Sequence, residues 1–509
     1  MTSSIADWEI RPTPDALRRR YLDSGSWTDD TLGAWCDARL AEHADLEFRV
    51  WSRARPCAMT LGAIRERARR FAAGLRARGI GAGDSVAIQL PNQAEAAVAI
   101  FGASFAGVVL VPLVGFYGPK ELRFVLPECR ARAFVTSPQG AGGDFASVAE
   151  DLRVACPELE WTAVVGDAPL ACVPFEALMA EPPLGEVAIV DPDAPALVGF
   201  TSGTTADPKG VIHTHRTFLA GVREPGNGMP DARPYLAGSP ISHVMGLIGS
   251  FLYALHVGKP IHLVDGWEPS LVFDAMREGD AVFNWGPPFF VTSLLEAPGF
   301  SPAVLDHLRF AGLGGAPVAP TLANRLEDLG IRIVRAYGST EQLTATMSLP
   351  DAPREKRLGT DGRPGRDTEL RLVDDAGREV PIGTPGEIRI RSPRNFVGYT
   401  DPALTRVVLD ADGWYATGDI AVADADGFVT IVDRKQDIII RGGENISAAE
   451  VEDVLLGMPG VLEVAVVAAP DPRMGEHGCA FLRSDASAAA PTLGDLRAHL
   501  AAVGLGKKK

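Results

Sequence analysis

At 509 residues the chain is too long for a single compact core, so two to four subdomains are expected. Its 46% apolar and 22% charged content matches an ordinary soluble globular enzyme. With 49 basic against 65 acidic residues the net charge is −16, which excludes nucleic acid and anionic membrane as natural partners.

From the N-terminus, MTSSIADWEIRPTPDALRRR has acids, prolines and arginines but no apolar signal core, so a cytoplasmic enzyme is expected. The six cysteines are scattered without a C-x-x-C pair and read as isolated reduced thiols. Two amphipathic helices are expected around Pro14–Asp23 and Asp30–His43. A longer one begins at Thr60, with arginines on its polar face and Gly79 as its stop. Ser85–Pro91 reads as a short buried strand. Ala96–Phe116 has no charged residue and is long enough to span a bilayer. It is interrupted by Gly102, Ser104, Gly107 and Pro112, so it divides into a helix to about Phe105, a glycine break and a strand. With further strands at Ala133–Ser137 and Trp161–Gly166, the rhythm is α/β with a largely parallel sheet.

Next comes FTSGTTADPKG, Phe200–Gly210, between an apolar strand-length run (Ala194–Phe200) and a second β-prone run, with a helix expected near His215. Hydroxyls, glycine amides and one lysine are what a polyphosphate needs: several donors, close backbone approach and positive charge. In so acidic a chain that lysine carries extra information. No Walker A pattern fits the stretch. The bland alternative is a flexible Ser/Thr/Gly turn with a solvated lysine. Ala281–Leu295, Leu308–Pro320 and Ile331–Leu343 are each a strand running into a Gly/Pro-rich turn, where α/β proteins place ligands. From Leu370 the texture changes to short strands with tight turns, a small β-subdomain. Beyond Asp433–Asp437, Ser447 and Glu450 form a capping box that opens a helix over Ala448–Leu456, and LEVAVVAAP returns as a strand.

Five stretches share one order and spacing: TSGTTADPKG, PISHVMG, GGAP, YGSTE, and YATGD with DRKQDIIIRGGENIS. From about residue 30 onward the chain resembles the acyl-CoA synthetases of the adenylate-forming (AMP-dependent synthetase/ligase) superfamily. The resemblance implies an α/β fold: a large multi-subdomain N-terminal domain with mainly parallel sheets and a β-subdomain (1–434, the latter about 365–434), and a small mobile α+β C-terminal domain (435–509). It implies activation of a carboxylic acid with ATP and Mg²⁺ to an acyl adenylate, then transfer to CoA. Thr201, Ser202, Gly203, Thr204, Thr205 and Lys209 would hold the β- and γ-phosphates. Thr340 would donate to the α-phosphate and Glu341 would hold the metal. Tyr337 would stack on adenine, with Gly315, Ala316 and Pro317 on its other side and Gly338 and Ser339 in the same loop. Asp419 and Arg434 would contact the ribose, Gly442, Gly443 and Glu444 would admit the pantetheine arm, and His243 would position the carboxylate. By residue type alone, YGSTE could be a capped turn, Asp419 a turn aspartate, Tyr337 a core aromatic and His243 a structural histidine.

Two departures from the family pattern stand out. The pivot position, usually Asp or Lys, is Gln436, which keeps hydrogen-bonding ability but can rebalance two states. The sequence stops after GLGKKK, before the hairpin that carries the family's adenylation lysine. The expectation is therefore an incomplete C-terminal domain. Loss of one transition-state cation would cost roughly 3–4 kcal/mol in adenylation. The acid pocket is expected to be formed by His243, Val244, Met245, Trp285, Gly314 and Gly338. No aspartate stands near PISH to hold an α-ammonium group, so a neutral apolar acid is expected: medium-chain, alicyclic or aromatic. The alternatives are an acyl-AMP ligase that loads a carrier-protein thiol, and a nucleotide-binding protein with weak adenylation.

Overall fold

The computed structural model describes residues 8–138, 145–201, 208–224, 226, 228–441, 444–472, 475–485 and 490–502. Contacts divide the chain into two compact units that are not continuous in sequence. One holds Met1–Leu358, Pro364–Thr368 and Arg391–Trp414; the other holds Gly359–Arg363, Glu369–Ile390 and Tyr415–Lys509.

In the large unit the start of the charge-free run forms most of the helix Ala94–Ala106, every residue of which is buried; its single charge, Glu95 in the first turn, is paired with Arg55. From Ala96 onward it is apolar on every side, the pattern of a helix enclosed by protein. Gly107 ends it in the left-handed region (φ 76°), where a side chain would be strained, and the strand Val109–Pro112 follows. Among the described residues no helix is long and apolar enough to cross a membrane. The helix packs with Leu61–Ala77 over a sheet in which Ser85–Gln89, Val109–Pro112, Ala131–Thr136, Trp161–Val164 and Pro195–Thr201 run parallel. Such strands are covered on both faces, and all five residues of Ser85–Gln89, the polar Ser85 and Gln89 included, are buried. The sheet then turns antiparallel. Lys209–Thr214 folds back on Pro195–Thr201, and Gly398–Tyr399 adds outside it.

Two further sheets supply the other strand ends. In one, Glu47–Trp51, Tyr235–Ala237 and Ile261–Val264 run parallel; in the other, Trp285–Gly286, Phe310–Leu313 and Arg332–Tyr337 do. Their carboxyl ends open into the turns bearing His243, Gly314–Pro317 and Ser339–Glu341, the side on which open parallel sheets bind ligands.

In the small unit, Glu369–Val373, Gly386–Arg391, Tyr415–Ala423 and Val429–Arg434 form one sheet, antiparallel where Tyr415–Ala423 meets both neighbours. A second sheet, built on the long hairpin Val461–Asp471 and Gly475–Ser484, packs with the helices Ala448–Leu456 and Leu493–Ala502 around Ile439, Val451, Leu455, Leu496 and Leu500. Ser447 caps the first helix as expected, its Oγ accepting from the Glu450 amide at 3.1 Å. The same hydroxyl donates to Asp433 at 2.7 Å, which ties the helix start to the preceding sheet.

Candidate active site

Thr201 and Lys209 face each other across the mouth of the antiparallel hairpin. Ser202, Gly203, Thr204 and Thr205, between them, lie outside the described residues. The Lys209 ammonium stands 5.7 Å above the ring of Tyr399, within reach of its quadrupole. Tyr399 is held there because its strand pairs with the outer edge of Lys209–Thr214, Tyr399 opposite Val211.

The strand Arg332–Tyr337 leads into Gly338–Ser339–Thr340–Glu341. The loop curls back so tightly that a Cβ on Gly338 would lie 1.8 Å from the Leu343 carbonyl oxygen, and Leu343 itself has φ +56°. The Ala345 amide closes the turn on the Tyr337 carbonyl at 2.9 Å. Behind it, Arg394 is buried and donates Nε to the Thr344 carbonyl at 2.9 Å while pairing with the buried Glu224. Glu341 is thereby presented with both oxygens engaged: Oε2 accepts from the Ser339 hydroxyl at 2.7 Å and Oε1 from the Tyr399 hydroxyl at 2.8 Å. The Thr340 carbonyl meets His213 Nε2 at 2.7 Å.

Three chain segments meet at Gly199. A Cβ there would come within 2.8 Å of the Thr340 methyl and 3.4 Å of Val244. The hairpin, the Thr340 loop and the His243 segment therefore share one floor. Met245 extends the cluster: its terminal methyl covers Gly315 so closely that a Cβ would lie 2.4 Å away. Gly315, Ala316 and Pro317 are exposed, whereas Gly314 is buried against the Ala336 carbonyl. Tyr337, half-buried, ends its strand beside this loop.

His243 caps the short helix Val244–Gly246, its Nδ1 accepting from the Met245 amide at 3.3 Å. Its ring keeps an exposed face, yet protein surrounds it on most sides, and that desolvation lowers its pKa. Trp285 is 7% exposed; its ring packs over Gly312 and clusters with Met229, Val334 and Met347. The His243 segment is held from behind by the buried Asn92, which accepts from the Ile241 amide at 2.8 Å and donates to the Ser239 carbonyl at 3.0 Å.

In the small unit Asp419 and Arg434 are opposite each other in adjacent strands, with Arg434 Nε 3.7 Å from Asp419 Oδ1. Gln436 lies exposed in the turn after Arg434. Gly442 and Gly443 lie outside the described residues, and Glu444 begins the strand Glu444–Ile446. Among the described residues no group of three His, Cys, Asp or Glu side chains is arranged to hold a metal.

Four residues at the site went unpredicted: Tyr399, His213, Arg394 and Asn92. His213 left a faint trace as a polar residue within a buried strand. The other three carry no local signal, since each acts on a segment more than 40 positions away.

A family description matches this arrangement: residues 36–400 match the AMP-binding enzyme family and residues 450–507 the AMP-binding enzyme C-terminal domain. The chain belongs to the adenylate-forming superfamily. Within this AMP-binding family it is 32% identical to a medium-chain fatty-acid–CoA ligase of Escherichia coli (strain K12), over 88% of this chain and 82% of that one. It is 35% identical to a feruloyl-CoA synthase of an Amycolatopsis species, over 89% and 88%. The ATP-bound structure of MatB from Rhodopseudomonas palustris superposes with a TM-score of 0.81 at 26% identity, covering 93% of each chain.

Proposed function

We propose that this AMP-forming acid–thiol ligase activates a neutral, apolar carboxylic acid (medium-chain, alicyclic or aromatic) and passes the acyl group to CoA. A carboxylate oxygen attacks the α-phosphorus of ATP, the bond to the bridging oxygen breaks, and pyrophosphate leaves. The thiolate sulfur then attacks the acyl carbon and AMP departs. Both partners of the first step are anionic, so the protein's task is positioning and charge neutralisation. The observation that supports this reading best is the meeting of Thr340 and Val244 on Gly199, which puts a hydroxyl-bearing loop beside an uncharged apolar segment.

In this reading Lys209 and the hydroxyls from Thr201 to Thr205 hold the β- and γ-phosphates, and Thr340 donates to the α-phosphate. Tyr337 and Gly315–Pro317 flank the adenine. Asp419 and Arg434 take the ribose diol, and the Gly442–Glu444 stretch meets the pantetheine. His243, neutral at pH 7, orients the acid through a ring N–H rather than abstracting a proton. Mg²⁺ would be held by Glu341; the Glu341, Ser339 and Tyr399 donors are all oxygens, which suits a hard cation. When bound, it supplies positive charge to the phosphates. Val244 and Met245, without a carboxylate beside His243, favour an acid that carries no ammonium group.

The test is a panel of carboxylic acids with ATP and Mg²⁺, read as pyrophosphate release, and then with free CoA or a phosphopantetheinylated carrier domain. Turnover confined to amino acids or to dianionic acids would refute the substrate class, and transfer to the carrier alone would replace CoA as acceptor.

A further inference from the structure

We propose that His213 is a positioning residue for adenylation: from inside the strand Lys209–Thr214 it fixes the backbone of Thr340, and so the aim of the Thr340 hydroxyl. This rests on the adenylation reading above. His213 is fully buried on a strand whose neighbours Val211 and Ile212 are also at 0% exposure. An imidazole there is costly unless its nitrogens are bonded. Both are. Nε2 lies 2.7 Å from the Thr340 carbonyl and Nδ1 3.1 Å from Thr217 Oγ1.

The partners dictate the tautomer. A carbonyl has no proton to give, so Nε2 carries the hydrogen and donates it to Thr340. Nδ1 is then bare and accepts from the Thr217 hydroxyl. That hydroxyl is itself anchored, accepting from the Thr214 amide at 3.0 Å where the helix His215–Val222 begins. Burial also pulls the His213 pKa down to about 4, so the ring is neutral at physiological pH and the tautomer is maintained.

A core histidine that merely satisfied itself could bond to any nearby carbonyl. This one reaches across 127 positions to the loop that presents Thr340 and Glu341, from the strand that begins with Lys209. Strand and loop are thus registered by one directional bond. No apolar side chain reproduces it, while a glutamine can, because its amide nitrogen reaches about as far as Nε2.

The experiment is ATP–pyrophosphate exchange on the full chain and its His213→Leu, His213→Gln, Thr340→Ala and His213→Leu/Thr340→Ala variants. His213→Leu is expected to lower kcat about 10- to 100-fold with little change in KM for ATP, the loss expected from a misplaced group. His213→Gln should stay within about threefold of the parent. The double variant should be no worse than Thr340→Ala, since the histidine acts through that hydroxyl. Multiplicative losses in the double variant, or a glutamine variant as impaired as the leucine one, would overturn the proposal. Should His213→Leu fail to fold, the ¹⁵N imidazole shifts of labelled parent protein, with His213→Gln for assignment, decide the matter: a protonated Nδ1 refutes it and a protonated Nε2 with an active glutamine variant upholds it. An exchange-inactive parent would count against the adenylation reading instead, and the ring shifts would still decide which atom holds Thr340.

Discussion

Tyr399 gives its hydroxyl proton to Glu341 while its ring faces the Lys209 ammonium, so one side chain fixes an anion and a cation of the same site. Tyr399→Phe keeps the ring and loses only the donor. It is expected to reduce pyrophosphate exchange by about 10- to 150-fold, the worth of one hydrogen bond to a charged group, and to raise the Mg²⁺ concentration needed for half-maximal rate. Unchanged kinetics would mean that Glu341 is held by Ser339 alone. Titration is a second property of single residues. His213 and His215 are both buried and held at about 4, below the ordinary 6.5, by desolvation. Between those values the unfolded chain binds more protons than the native one, so stability is complete above about pH 6.5 and declines as the pH falls towards 4. The slope is roughly 1.4 kcal/mol per pH unit for each histidine within that window. Urea midpoints at pH 7 and pH 5 check the sign, and His213→Gln should flatten the dependence.

At the scale of elements, the loop after Arg332–Tyr337 is shaped by steric closeness and by one buried arginine. Gly338→Ala would drive a methyl into the Leu343 carbonyl 1.8 Å away, so the loop must shift. The expected outcome is a folded enzyme with at least about 100-fold lower kcat, measured beside a thermal melt, because sub-ångström placement governs such reactions. Arg394 is different in kind. Removing it leaves the Glu224 carboxylate buried and alone, which typically costs about 3–5 kcal/mol. Replacing both, as in Arg394→Met/Glu224→Leu, should recover most of that loss in urea unfolding. The exchange rate should stay low in the double variant, because the Arg394 guanidinium no longer braces the Thr344 carbonyl.

At the scale of the whole molecule, the chain is organised as two compact units, and the turn after Arg434 carries the proposed pivot. Gln436→Pro restricts the backbone there and removes an amide donor. If the small unit changes orientation between half-reactions, this variant should retain pyrophosphate exchange and lose most CoA-dependent acyl transfer. Equal losses in both assays would remove Gln436 as the pivot. The net charge of −16 acts at the same scale. Anionic substrates approach against it, so cations such as Lys209 have to act locally, where screening and distance do not dilute them.

The sequence by itself determined what local chemistry can encode. Its apolar runs and glycine stops placed the helix Ala94–Ala106 and the strand Val109–Pro112. Its hydroxyl-, glycine- and acid-bearing turns singled out the stretch from Thr201 to Lys209 and the Ser339–Glu341 loop as candidates for ligand binding. These are short-range properties: periodicity, allowed φ angles and side-chain donors within a few residues of each other. What only the tertiary structure decided is which of those turns touch, and through whom. Thr340 and Val244 both lie over Gly199, Tyr399 closes on Glu341 from 58 positions away, and His213 reaches Thr340 from 127. No window of sequence contains both ends of such a bond, because strand order, and not chain order, sets which groups become neighbours.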